Sequence, residues 1–99
     1  MKVNFNQSFK DFKQQVLMEL GRPAMFSDQV CKTLFNLGTS SQIPVSSDDK
    51  YLAYKLCRRI SEADGEVEIS SEEGAFILKA CADTLTAGAY GQLRELIDK

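Results

Sequence analysis

The apolar positions change period several times along the chain. In KVNFN, residues 2–6, Val3 and Phe5 alternate with Asn4 and Asn6, the two-residue period of a short strand. The next stretch, SFKDFKQQVLMEL, supports two readings. Phe9, Phe12, Val16 and Leu20 fall on one helical stripe, and Ser8 with Asp11 has the spacing of a capping box. The rival is a second strand at about residues 15–19 that returns against the first as a hairpin, although no Asn-Gly or Asp-Gly turn supports it. Periodicity alone favours the helix. Gly21-Arg22-Pro23 then breaks any regular element.

Four segments beyond this break read as helices. SDQVCKTLFNLG takes Ser27 as N-cap and Asp28 in its first turn. Val30, Cys31, Leu34, Phe35 and Leu37 make its buried face, and Gly38 suits the left-handed position after the last turn. A polar connection over residues 39–47 holds Ile43 and Val45 extended around Pro44. DDKYLAYKLCRRISEA is the most regular segment. Leu52, Leu56, Ile60 and Ala63, with Ala53 and Cys57, form its apolar stripe, and Tyr51, Lys55, Arg58, Arg59 and Glu62 lie around the other face. After Asp64-Gly65, Val67 and Ile69 alternate with Glu66 and Glu68 as a short extended piece. A helix at about residues 71–84 turns Phe76, Ile77, Ala80 and Cys81 inward, and TAGAYGQLRELID buries Ala89, Tyr90, Leu93, Leu96 and Ile97. Gly88 and Gly91 weaken this last helix unless a neighbour approaches closely there.

Two stretches share a pattern: IPVSSDD at residues 43–49 and VEISSEE at residues 67–73. The Asp64-Gly65 turn ahead of VEISSEE suggests a calcium loop, but the register fails. With Gly65 at the sixth position of an EF-hand loop, Ile60 stands where the first ligand belongs and Ser71 where the last belongs. Capping needs nothing extra. Ser46 with Asp49 and Ser70 with Glu73 have capping-box spacing, and their acids sit where the helix dipole favours negative charge. Both stretches are therefore expected to be helix entrances, with Ile43/Val45 and Val67/Ile69 as extended leads able to pair in a small β-bridge.

The bulk numbers place these elements in one domain. A chain of 99 residues, 43% apolar and 26% charged, buries a core without disulfides or a structural metal. No run approaches a membrane span, and MKVNFNQSFK lacks the apolar core of a secretory signal, so the expected location is the cytosol. Cys31, Cys57 and Cys81 are odd in number, contain no CxxC pair and sit inside helical apolar patterns. They read as buried, reduced thiols. The net charge of −2 hides an asymmetry. Residues 1–60 hold nine Lys/Arg against five Asp/Glu, and residues 61–99 hold three against nine. Overall charge therefore gives no general attraction to nucleic acid, while a local basic face remains open.

Catalytic equipment is sparse. Histidine is absent, which removes Ser-His and Cys-His nucleophile pairs and most zinc sites. There is no Walker loop and no G-x-G-x-x-G. No catalytic residue, metal ligand or cofactor-binding residue is expected. The best candidate surface is Tyr51, Tyr54, Lys55, Arg58 and Arg59, types favoured at protein interfaces and placed along one helix face. Set against that is an ordinary solvated face with Tyr partly in the core. Arg22-Pro23, followed by Met25 and Phe26, is a further candidate in an exposed connection, although Met25 and Phe26 also suit the core.

The segments MKVNFNQSFKDF, KYLAYKLCRRI, GEVEISSEEGAFI and AGAYGQLRELID resemble small uncharacterised proteins encoded by tailed bacteriophages and prophages. The resemblance implies synthesis in the cytoplasm of a bacterial host, and it implies that residues 2–20 form a β-hairpin. A chain that opens in β-alternation needs a partner strand for its backbone, so the hairpin is preferred over the helix. The resemblance supplies no catalytic residues. The expected fold is α+β: an N-terminal β-hairpin over residues 1–20, then about four short helices over residues 26–99, in one mostly helical domain. The expected function is a non-catalytic accessory protein, without cofactor, that binds a phage or host protein and no membrane. The alternative is a nucleic-acid-binding regulator using Lys50, Lys55, Arg58 and Arg59. A third reading makes the acidic residues 62–73 a nucleic-acid mimic.

Overall fold

The computed structural model describes residues 1–38 and 45–98. The elements follow in the order β1 (Lys2–Asn4), β2 (Met18–Glu19), β3 (Arg22–Pro23), α1 (Phe26–Phe35), α2 (Ser47–Glu62), β4 (Glu66–Glu68), α3 (Ser71–Cys81) and α4 (Ala87–Ile97). This is an α+β fold with a two-stranded hairpin near the N-terminus and four helices. Among the described residues no helix is long and apolar enough to cross a membrane.

The opening alternation forms a strand, but its partner is not at residues 15–19. β1 pairs antiparallel with β4, placing Val3 opposite Val67 and Lys2 opposite Glu68. Both valines are buried, and the charged neighbours point to water. One apolar residue between two polar ones gives each strand a single face for the core, and that shared pattern sets the register. Ile69 N–H donates to Met1 O at 2.8 Å and extends the ladder. The hairpin is formed by β2 and β3, joined through Leu20 and Gly21. Of the β-bridge expected between Ile43/Val45 and Val67/Ile69, Ile43 lies outside the described residues, and Val67 pairs with Val3 of β1.

The helical stripe over residues 8–20 does not form. Phe9 is fully buried while Phe12 and Leu20 are 90% and 95% exposed, so the three do not share a face. Ser8 and Asp11 make no capping box. The Asp11 carboxylate instead accepts from the N–H groups of Lys13 at 2.8 Å and Gln15 at 3.1 Å, holding a turn that competes with helix.

α1 begins at Phe26 rather than after Ser27. Its first N–H groups need no side-chain cap, because Phe26 N–H donates to Gln7 O and Ser27 N–H donates to Phe5 O, both at 2.9 Å. The inward ridge is Phe26, Val30 and Leu34. Phe35, expected inside, is 68% exposed because it stands one helical step off that ridge. Gly38 has a φ of +98°, the left-handed conformation read from its position.

The two helix entrances are real and unequal. At α3 the Ser70 hydroxyl accepts from Glu73 N–H at 3.0 Å, and Ser70 N–H donates to the Glu73 carboxylate at 2.8 Å. At α2 Ser46 accepts from Asp49 N–H at 3.0 Å without the reciprocal bond, because Asp is one methylene shorter than Glu. α1 packs mainly on α2, and α3 packs on both α1 and α4, around a core that includes Phe5, Phe9, Leu56, Ile69, Ile77 and Leu93. The Phe9 and Phe26 rings meet at 4.1 Å between centroids. Gly88 and Gly91 have no neighbour within contact distance; the close approach is at Gly74, where a Cβ would stand 3.0 Å from Ile97 Cγ2 and 2.7 Å from Met1 Cε.

Candidate functional site

On α2, Ala53, Leu56, Cys57 and Ile60 turn inward, which leaves Tyr51, Tyr54, Lys55, Arg58 and Arg59 outside. Tyr51 is 62% exposed, with Lys55 Nζ 4.7 Å from its ring centroid. Arg58 pairs with Glu62 one turn on at 2.9 Å, and its guanidinium is held further toward the charged form by Glu62 and then by the Tyr54 hydroxyl. Arg59 leaves the strip. Its Nη1 straddles the Glu73 carboxylate at 2.9 and 3.0 Å and donates to Glu68 O at 3.3 Å, tying α2 to the cap of α3. The Ser70 N–H and then Arg59 hold the Glu73 carboxyl below its ordinary value. The structure thus keeps Tyr51, Tyr54, Lys55 and Arg58 along one exposed strip, and both arginines of the original five residues already face carboxylates.

Another surface was obscured in the sequence by the helical spacing of Phe12, Val16 and Leu20. Residues 5–27 form a three-way backbone junction. A stem joins residues 5–9 to residues 24–27, with Ser8 bridged to Met25. At its end three hydrogen bonds run in a ring: Phe9 N–H to Ala24 O at 2.7 Å, Leu17 N–H to Phe9 O at 2.9 Å, and Ala24 N–H to Leu17 O at 2.8 Å. Two lobes leave this ring. The first reverses through the Asp11–Gln15 turn and closes at the Lys10–Val16 bridge. The second is the β2–β3 hairpin. Pro23 stands opposite Met18 in it, between the bonded pairs, where its missing N–H costs the ladder nothing.

Each lobe ends in a large apolar side chain in water. Phe12 tips the first, and Leu20 tips the second. Leu20 and Gly21 have φ of +53° and +79°, the signature of a type I′ turn. Glycine adopts that conformation freely, whereas a leucine there costs roughly 1 kcal/mol. Val16, Leu17 and Met18, between the tips, are also exposed. The arm carries three cations, Lys10, Lys13 and Arg22, against two carboxylates, Asp11 and Glu19. Asp11 is occupied by its own turn and Glu19 accepts from Gln29 at 3.4 Å, while Lys10, Lys13 and Arg22 form no ion pair with another described residue. Arg22 belongs to this arm, as one of the two sequence candidates placed it, whereas Phe26 is core and Met25 half-buried.

Two concave regions lie elsewhere on the described surface. A crevice of about 290 Å³ lies between the start of α1 and the turn from α2 to β4. Buried Phe5, Ile60 and Val67 form its floor, Asn6, Ser27 and Ser61 line it, and exposed Asp28 and Asp64 flank it. A broader groove of about 540 Å³ runs between α3 and α4 past Leu78, Tyr90 and Ile97. The thiols of Cys31 and Cys57 each donate to the other's carbonyl at 3.5 Å. Burial, then the neighbouring Cys57, pushes the Cys31 thiol up to about 12; burial pushes Cys81 up to about 11. Neither is a thiolate at neutral pH, so neither is poised as a nucleophile. Among the described residues no group of three or more Cys, Asp or Glu is placed to hold a metal ion.

The class that fold and surface define is a small α+β domain with an apolar-tipped arm. No family model, curated protein or solved structure matches the chain.

Proposed function

We propose that this protein is a non-catalytic accessory protein that works by binding another protein, and that the two-lobed arm is its main docking surface. The observation that carries this reading is Leu20. A large apolar side chain is held in water on a turn whose backbone disfavours it, and folding gains nothing from that arrangement. Phe12 repeats the exposure on the other lobe. Burial of two such side chains in a partner is worth about 1.5–3 kcal/mol each before the costs of association.

The phage or prophage setting, and with it the cytoplasm of a bacterial host, rests on the four resembling segments. The α2 strip of Tyr51, Tyr54, Lys55 and Arg58 is a secondary contact in this reading. Its arginine faces a carboxylate, which makes it a poor phosphate clamp and weakens the nucleic-acid alternative.

The test is capture from a host lysate with the tagged protein, with and without nuclease, using wild type, Leu20→Asn and Phe12→Asp. The expected result is a stoichiometric protein partner that survives nuclease and is lost with either arm variant. Partners lost on nuclease treatment would move the reading to nucleic acid. Capture that ignores the arm variants and fails with Tyr54→Ala or Arg58→Glu would move the docking surface to α2.

A further inference from the structure

The arm and the α1/α2–β4 crevice match each other in size, polarity order and charge, and they belong to the same chain. The arm's second lobe presents one leucine at its tip with Arg22 across the hairpin from Glu19. The crevice has an apolar floor of Phe5, Ile60 and Val67, and its volume of about 290 Å³ takes one large side chain. Asp28 and Asp64 beside it form no ion pair with another described residue, just as Lys10, Lys13 and Arg22 on the arm form none. In its own chain Leu20 stays 95% exposed, so the crevice is not filled from within. The α3–α4 groove does not offer the same match, since Lys79 lines it and Asp98, the carboxylate in its lining, is already paired with Arg94 at 3.2 Å.

We infer that the protein self-associates, with Leu20 of one copy seated in the crevice of a second copy and the arm's cations facing Asp28 and Asp64. The contact joins two different patches, so it closes only when it is made reciprocally or around a ring, and otherwise grows. Its ionic part weakens with salt. This inference rests on the arm being a docking surface and names its first occupant.

The experiment is sedimentation velocity on the purified full chain over a wide concentration range, at low and high salt. Three proteins are compared: wild type, Leu20→Asn, and the double variant Asp28→Lys with Asp64→Lys, each checked for folding by circular dichroism. The expected wild-type mass rises above the monomer with concentration and falls back at high salt. Each variant alone stays at the monomer mass. Mixed together they recover a dimer, because one keeps the crevice and the other keeps the arm. A wild type that is monomeric throughout, either variant associating as the wild type does, or a mixture that stays monomeric would each overturn the inference. A monomeric wild type that still captures a different protein through Leu20 would overturn it too, while leaving the proposed function standing.

Discussion

The side-chain amide of Gln92 on α4 makes a two-point hydrogen bond with the main chain of Lys10. Its Oε1 accepts from Lys10 N–H at 2.8 Å and its Nε2 donates to Lys10 O at 2.7 Å. One glutamine thereby anchors the first lobe to the last helix at the point where it leaves the junction. Gln92→Ala is expected to cost about 1 kcal/mol in global stability, the scale of a net hydrogen bond. The sharper readout is amide exchange: Lys10 and Leu17 should lose protection while the α2 amides keep theirs. Gln92→Glu, which keeps the acceptor and loses the donor, should fall between.

Leu20→Asn is expected to raise stability by roughly 1 kcal/mol while abolishing docking, since Asn tolerates the left-handed conformation that Leu does not. Thermal denaturation and the capture experiment, run on the same preparation, check both halves. A variant that is less stable than wild type would show that Leu20 contributes to folding after all.

The two serine caps should differ. Removing both halves of the reciprocal box takes Ser70→Ala together with Glu73→Ala and should cost about 1 kcal/mol or more, whereas Ser46→Ala removes one bond and should cost about 0.5 kcal/mol. Urea denaturation midpoints measure the difference. The Ser70 site is also acid-sensitive. Glu73 is held below its ordinary value in the fold, so its contribution is present above the unfolded value of 4.5 and fades as pH falls through the folded one. Glu73→Gln should flatten that acid limb.

Two thiols contribute to the pH dependence of stability on the alkaline side. Cys31 and Cys81 are raised in the fold from 9.0 to about 12 and about 11. The unfolded chain therefore loses these protons first, and the thiols' contribution to stability should be level below about pH 9 and decline from there toward about pH 11–12. Cys81→Ala should shorten the decline, measured by denaturant titration under reducing conditions. Thiol alkylation of the native protein at neutral pH should be slow at both positions.

Much of this fold was legible because its helices carry their signals locally. The stripe from Leu52 to Ile60 and the Ser70–Glu73 spacing needed no tertiary information. What was not legible depended on partners distant in sequence. β1 has the pattern of a strand but nothing that names β4 over residues 15–19. The start of α1 shifted from Ser27 to Phe26 because main-chain carbonyls of Phe5 and Gln7 replaced the cap. The arm was the larger omission. Phe12, Val16 and Leu20 are spaced as a buried helical stripe, and only the geometry shows that they face water. The available hint was Leu-Gly before Arg-Pro, a turn whose glycine fits a type I′ hairpin while its first residue does not. On α2, the sequence found the exposed strip but not that Arg59 is turned toward Glu73.

The ladder between residues 2–4 and 66–68, together with the Gln92 anchor on Lys10, has a consequence for biosynthesis. A chain emerging from the ribosome presents the arm's residues first, yet β1 waits for β4 and Lys10 waits for Gln92. Contacts of such separation form late and close large loops. The arm's own hydrogen bonds lie within residues 5–27 and can form early, whereas its attachment to the rest of the fold, through the β1–β4 ladder and Gln92, is completed only when nearly the whole of residues 1–92 is available.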